Sequence, residues 1–371
     1  MAVAVPKPVA RDTMPLLGID HIEIWAGNAA QAAYWWKHAL GFREVAYAGL
    51  ETGVRDRASH VLEQGRVRIV VTGALHGSSE IAKHVAEHGD GVKVVALSVP
   101  DAEHAYREAV RRGAHGVRET WEESGEHGTV RLATISTYGE TLHTFVERGG
   151  YAGPFLPGFA PVEEETGDTA LLAGIDHVVG NVELGRLDEW VSYYEHVFGF
   201  TEMIHFSDED ISTEYSALMS KVVANGDGRI KFPINEPAEG KRKSQIEEYL
   251  EFYGGAGVQH VALTTQDIVE AVSELRARGV RFLATPETYY ADLPDRVGEV
   301  SGRVDDLRRL GILADRDDEG YLLQIFTRPI GDRPTLFLEL IERHGARGFG
   351  EGNFKALFEA IEREQALRGN L

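Results

Sequence analysis

Residues 174–181 read GIDHVVGN, and residues 18–25 read GIDHIEIW. Chance, a repeated fold, or a metal site closed by histidine could each place one tetrapeptide in the chain twice. The stretches beyond the two copies remove chance. After the first comes QAAYWWKHALGFREV from Gln31, and after the second WVSYYEHVFGFTEM from Trp190. Trp35 and Trp36 thus align with Tyr193 and Tyr194, His38 with His196, and Gly41 and Phe42 with Gly199 and Phe200. Each stretch reads as an aromatic-rich helix stopped by a glycine suited to a left-handed C-cap. Further on, GDGVKVVALSVPDA from Gly89 matches GAGVQHVALTTQDI from Gly255, and TLHTFVER from Thr141 echoes TLFLELIER from Thr335. The chain is an internal duplication. Strand, helix and several strands occur twice in each half, which predicts four βαβββ units paired into two curved, mostly antiparallel sheets, an α+β architecture.

Between the copies, GGYAGPFLPGFAPVEEETGDTALLA from Gly149 carries Pro154, Pro157, Pro161 and an acidic run, the composition of a linker. The expected organisation is a first domain over residues 14–150, a linker over 151–172 and a second domain over 173–371, in keeping with a length of 371 residues. A formal charge of −21 argues against nucleic acid or an anionic membrane as partner. No apolar run reaches the length of a membrane-spanning helix. MAVAVPKPVARDTMP at the start, with two prolines before Met14 and no sustained apolar stretch, reads as a frayed arm rather than a signal peptide. With no cysteine, thiolate nucleophiles, disulfides and iron–sulfur ligation are excluded, and any metal must be held by His, Asp or Glu. A cytoplasmic protein is expected.

Alternation along a strand tests which residues share a cavity. Ile175, His177 and Val179 fall on one face of their strand, and Val258, His260 and Ala262 on one face of theirs. Phe337, Glu339 and Ile341 share a face opposite Leu336, Leu338 and Leu340. Glu339 is set among apolar neighbours with no lysine or arginine close by in that strand. A buried unpaired carboxylate is strongly disfavoured, so it requires a cation. Two histidines and one carboxylate from three strands form the facial arrangement that holds non-haem Fe(II) with open positions. Against this, fifteen histidines and 59 acidic residues make some such triad inevitable, and a strand histidine is more often a hydrogen-bonded core residue. The duplication favours the triad: the first-half equivalents are His21, Val94 and about Phe145, so one half keeps a complete set and the other keeps its histidine as packing. By the same alternation Pro233 and Asn235 share a face, as do Leu322, Gln324 and Phe326. Gln259 has the wrong parity beside His260 unless the strand bulges there.

Three motifs invite other readings. HVAEH, residues 84–88, fits the H-x-x-E-H zinc-protease pattern, but the duplication aligns it with LEFYG, residues 250–254, and His88 before Gly89 reads as a helix C-terminal residue favoured by the macrodipole. DRDDEG from Asp315 would need Glu, not Phe326, at the twelfth position of a calcium loop, so it reads as a hairpin turn. GFGEGNF from Gly348 lacks the context of a dinucleotide fingerprint and reads as a hinge into a last helix with Phe354, Leu357, Phe358 and Ile361 in one stripe.

Over nearly its whole length the chain resembles the 4-hydroxyphenylpyruvate dioxygenase family. The resemblance rests on GIDHVVGNV, TEYSALMSKV, KFPINEPAEGKRKSQIEEYLEFYGGAGVQHVAL, ILADRDDEGYLLQIFT and GNFKALFEAIEREQ in the second half, and on EHGDGV and GYAGPFLPGF in the first. It implies a vicinal-oxygen-chelate fold with Fe(II) inside the C-terminal open barrel, held by His177, His260 and Glu339. It implies a pocket using Ser220, Pro233, Asn235, Gln245, Gln259, Gln324, Phe326 and Phe337, closed by a C-terminal helix bearing Asn353, Phe354 and Phe358. The implied reaction joins 4-hydroxyphenylpyruvate and O2 to give homogentisate and CO2 in tyrosine and phenylalanine catabolism, in a homo-oligomer (dimer or tetramer). His21 then sits where the family needs no ligand. 4-Hydroxymandelate synthase, with the same substrate and benzylic hydroxylation, is the nearest alternative, and a metal-free binding module of the same fold is a further one.

Overall fold

The computed structural model describes residues 14–163, 170–206, 217–238, 240, 242–291, 293–298, 300 and 303–370. The N-terminal arm and most of the acidic run before the second GIDH lie outside them. Each GIDH opens the inner strand of a large sheet. Gly18–Trp25 lies antiparallel to Gly91–Ser98, and Gly174–Asn181 antiparallel to Gly257–Thr264. Every inner strand has a parallel partner on its other side: Val67–Ala74 and Leu142–Glu147 in the first sheet, Lys231–Ala238 and Phe337–His344 in the second. Parallel neighbours cannot be joined by a hairpin. The chain therefore leaves each inner strand through a helix (Ala29–His38, Ala102–Arg111, Leu187–Tyr193 or Ile268–Ala277), lands on the sheet's edge and meanders back. Four βαβββ units result, paired into two sheets of matching strand order, as the duplication predicts.

Gly41 and Gly199, the expected helix stops, both adopt left-handed backbone, with φ of 79° and 70°. The segment read as a linker is not free of the first sheet. Ala160–Pro161 pairs with the edge strand Arg43–Ala48, and Phe155 is buried. The apolar core runs continuously through both halves. Tyr194, from the second half, hydrogen-bonds His143 Nε2 at 2.8 Å and Thr137 at 3.0 Å in the first. Burial pushes His143 down to about 4, so the ring in this junction is neutral.

Both inner pairs carry the same two β-bulges. One extra residue is inserted at Asp20 and at Asp176, and another at Lys93 and at Gln259. A bulge breaks the two-residue alternation and re-aims a side chain, so the faces read from strict alternation hold only between bulges.

Candidate metal centre

Register places His177, Ala262 and Glu339 in one row across three neighbouring strands, and Val179, His260 and Phe337 in the adjacent row. Ala262 leaves the space that lets the longer side chains on either side of it meet. Glu339 Oε2 lies 3.1 Å from His177 Nε2 and 3.3 Å from His260 Nε2, and all three residues are buried. The other ring nitrogens are occupied: His177 Nδ1 donates to Asp176 Oδ2 at 2.8 Å, and His260 Nδ1 meets Gln259 Oε1 at 3.0 Å. Both Nε2 atoms thus converge on one carboxylate oxygen, the arrangement in which outer partners orient metal-binding imidazoles.

The electrostatics suit a positive charge at the point of convergence. Burial would raise the Glu339 carboxyl, but the two imidazoles outweigh it and hold it at about 2. Burial opposes ionisation of His177, yet the carboxylates of Glu339 and Asp176 draw its pKa above the ordinary value. No lysine or arginine reaches Glu339 among the described residues; the imidazoles stand in for the cation. Two imidazoles and a carboxylate, with the remaining directions open to a pocket, suit a divalent first-row metal. The geometry fits the group.

Asp176 anchors the centre from behind. Arg343 reaches it through Nε at 2.9 Å and Nη2 at 2.8 Å, and Lys231 through Nζ at 3.1 Å. Burial would raise Asp176, but its hydrogen bonds from His177 and Arg343 keep it well below the usual carboxylate range. Phe349 closes the outer side with its ring 5.0 Å from that of His177.

The pocket in front of the triad has a volume of about 80 Å³. Ser220, Pro233, Asn235, Gln245, Gln259, Phe326, Phe337, Phe354 and Phe358 all line it. Gln259 does so through its bulge. Gln245 is set there by a capping box, in which Glu247 N donates to Ser244 Oγ and Ser244 N to the Glu247 carboxylate, fixing the helix start. The Phe337 ring stacks on His260 at 4.8 Å. Gln324 and Asn353 are placed elsewhere. Gln324 is fully buried against Gly350, where a Cβ would come within 2.5 Å of its amide. Asn353 Oδ1 accepts from Tyr289 Oη at 2.5 Å, so it anchors the last helix instead of facing the pocket.

The expected last helix and hairpin turn are both present. Gly350 has φ of +80°, after which Phe354–Arg368 is helical, with Phe354, Leu357, Phe358 and Ile361 across the pocket mouth. The far end of this helix is held by Arg368, bidentate on buried Glu248, and by Arg328 on Glu364. Asp317 Oδ1 accepts from Glu319 N and Gly320 N, closing the hairpin. Sequence reasoning did not reach Phe349 or the Asp176 cluster. The aspartate in both copies of GIDH was the available signal.

Residues 174–325 match the Glyoxalase/Bleomycin resistance protein/Dioxygenase superfamily, the class of protein that this fold and pocket define. Residues 11–154 match the N-terminal part of hydroxyphenylpyruvate dioxygenase. The 4-hydroxyphenylpyruvate dioxygenase of Dictyostelium discoideum is 50% identical over 366 residues, spanning 95% of this chain and 100% of that one. That of Yarrowia lipolytica is 47% identical, spanning 95% and 93%. The chain belongs to the 4-hydroxyphenylpyruvate dioxygenase family. Among solved structures it is similar to a triple mutant of 4-hydroxymandelate synthase from Streptomyces coelicolor, with a TM-score of 0.86 and 36% identity over 95% of this chain and 100% of that one.

Proposed function

We propose that the chain converts 4-hydroxyphenylpyruvate and O2 to homogentisate and CO2, with Fe(II) held by His177, His260 and Glu339. The observation that carries this reading is the buried Glu339 carboxylate, faced by two imidazole Nε2 atoms and, among the described residues, no other cation, at the floor of an aromatic pocket. Family membership supports the substrate. When bound, Fe(II) would supply a Lewis acid for the 2-oxo acid and the redox chemistry that activates O2.

The chain's own residues do the rest. Glu339 neutralises one charge of a divalent ion, leaving one positive charge to meet the substrate carboxylate; among the described residues no arginine or lysine lines the pocket. Asp176 holds His177 in the tautomer that presents Nε2. Phe326, Phe337 and Phe354 confine the aromatic ring. Ser220, Asn235, Gln245 and Gln259 offer hydrogen bonds to the phenol end, with Asn235 itself steadied by Asn181 at 3.3 Å. The helix from Phe354 covers the mouth, and its opening and closing admit substrate and exclude water. Gln324 and Asn353 support that cover from behind. The working division of the chain is residues 14–150 and 173–371, joined through 151–172.

Benzylic hydroxylation by the same centre is the second reading, favoured by the likeness to 4-hydroxymandelate synthase. Incubation with substrate, Fe(II) and O2 followed by chromatography separates them. Homogentisate is expected; hydroxymandelate as main product would transfer the assignment to the second reading, and a chain that takes up no iron would overturn both.

A further inference from the structure

Among the described residues, two clusters of His, Asp or Glu have donor atoms close enough for one ion, and the second stands on other elements than the first. His84 and His88 lie one turn apart on the helix Glu80–His88, so they share a face. One nitrogen of each ring and a carboxylate oxygen of Glu140 lie within 4.8 Å of one another. Both histidines are buried, at 4% and 3% exposure, while Glu140 is half exposed and leaves a path to solvent.

The ring nitrogens are assigned by their partners. His88 Nδ1 donates to the carbonyl of Tyr253 at 2.6 Å, which leaves its Nε2 facing Glu140 Oε2 at 3.5 Å, and His84 Nδ1 meets the same oxygen at 2.7 Å. His88 Nε2 is then a buried lone pair aimed at the carboxylate with no hydrogen-bond partner. A buried acceptor without a donor is costly. A cation held between His84 Nδ1, His88 Nε2 and Glu140 would remove that cost. The backbone carbonyl behind His88 is the kind of outer partner that orients a ligating imidazole.

We infer that His84, His88 and Glu140 form a second divalent-cation site, suited to Zn2+, at the junction of the two halves. The pair of imidazoles and one carboxylate matches zinc's nitrogen and oxygen ligands, with water completing the shell. Lys93 is the competitor. Its Nζ lies 3.0 Å from Glu140 Oε2 and supplies the charge that a metal would otherwise bring. It also lies 5.0 Å above the Trp25 ring, a second favourable place for an ammonium that yields to the ion. Because His88 is fastened to Tyr253 of the second half, and Arg333 binds the carbonyls of Ala86 and Glu87 on the same helix, an ion here ties the halves together.

Zinc can also enter the triad, so the decisive count is made in the Glu339→Ala chain. That chain is exposed to Zn2+, desalted and analysed for bound metal, with thermal unfolding alongside. One zinc per chain and a raised Tm are expected, and no zinc in Glu339→Ala combined with His84→Ala. His84→Ala keeps the His88–Tyr253 bond, and a cooperative unfolding transition verifies its fold. Lys93→Met, which removes the competing ammonium, should bind Zn2+ about tenfold tighter. Absence of zinc from the Glu339→Ala chain, an unchanged count on adding His84→Ala, or an unchanged affinity in Lys93→Met each overturns the proposal. None of these results bears on iron at the triad.

Discussion

In the first sheet Asp20 accepts from His21 Nδ1 at 2.7 Å and is gripped by Arg148, with Arg68 at 3.6 Å; in the second, Asp176 does the same for His177 under Arg343 and Lys231. Phe155 sits edge-on to His21 at 5.0 Å, as Phe349 does to His177. Register pairs the rest: Ala96 stands for Ala262, Val94 for His260, and Thr144 for Glu339. The first half has kept the buried ion cluster and lacks two of the three ligands. The cluster therefore answers a need of folding, since it joins three strands around an aspartate. The proposed ligands, two of which the first half does without, are not needed for that purpose. Their hollows differ as well. The first encloses about 800 Å³ against about 80 Å³ in the second, where the Phe354 helix fills the mouth.

The comparison breaks most visibly at the ligands. Glu339→Ala should leave a folded chain without stoichiometric iron and without turnover, whereas His21→Ala and Thr144→Ala should keep full iron. Metal analysis and product yield check this, and iron loss in either first-half variant would mean the halves were wrongly equated.

Next in size is the aspartate pair. Asp176→Asn should weaken iron binding by roughly 10–100-fold, while Asp20→Asn leaves it unchanged. Asp20 should instead show in acid stability. Burial alone would raise its pKa, but Arg148 and His21 depress it below the ordinary 3.8. A depressed acid contributes stability that is complete above the unfolded value and drains away as pH falls below it. The wild type should therefore lose stability below about pH 4 more steeply than Asp20→Asn, as followed by denaturant unfolding across that range. Equal slopes would show that the first-half cluster contributes nothing.

Phe337 stands where the first half has Leu142. Its ring lies against His260, and under the proposed function it bounds the substrate beside the metal. Phe337→Ile should shift part of the product from homogentisate toward 4-hydroxymandelate. A change of ~1.4 kcal/mol between the two barriers alters the ratio tenfold. Both acids are measured by chromatography, and an unchanged ratio at measurable turnover removes Phe337 from control of the outcome.

The smallest effect of a single substitution concerns the last helix. Arg368→Ala should retain iron and lower turnover only a few-fold, through looser closure. A chain ending at Gly350 should retain iron and lose productive turnover. Unchanged rate and product yield per CO2 in the shortened chain would exclude a covering role.

Much of this was legible because it repeats. GIDH, the glycine stops and the VALS and VALT strands recur at matching places, and strand periodicity put His177 and Glu339 on inward faces. The failures have definite causes. TLHTFVER is one residue shorter than TLFLELIER, so alignment from the left set Glu339 against Phe145, while the strand register sets it against Thr144. Periodicity cannot announce a bulge; it could only state that Gln259 needed one. Gln324 has the expected parity, yet Gly350, from a distant loop, is packed over it. Asp176 and Arg343 meet across 167 residues of chain, and no local pattern records such a pair. Likewise HVAEH read correctly as a helix end, while Glu140, which meets its histidines, lies in another loop.

The helix over the pocket is hinged at Gly350 and fastened at its far end by two unlike ion pairs. Glu248 and Arg368 meet where the carboxylate is buried, and Arg328 and Glu364 meet nearer to water. Mobile salt weakens the exposed pair and hardly touches the buried one. Under the proposed covering role, release of product through that mouth meets one ionic catch that loosens with salinity and one that does not. Its speed should rise gently with added salt and level off.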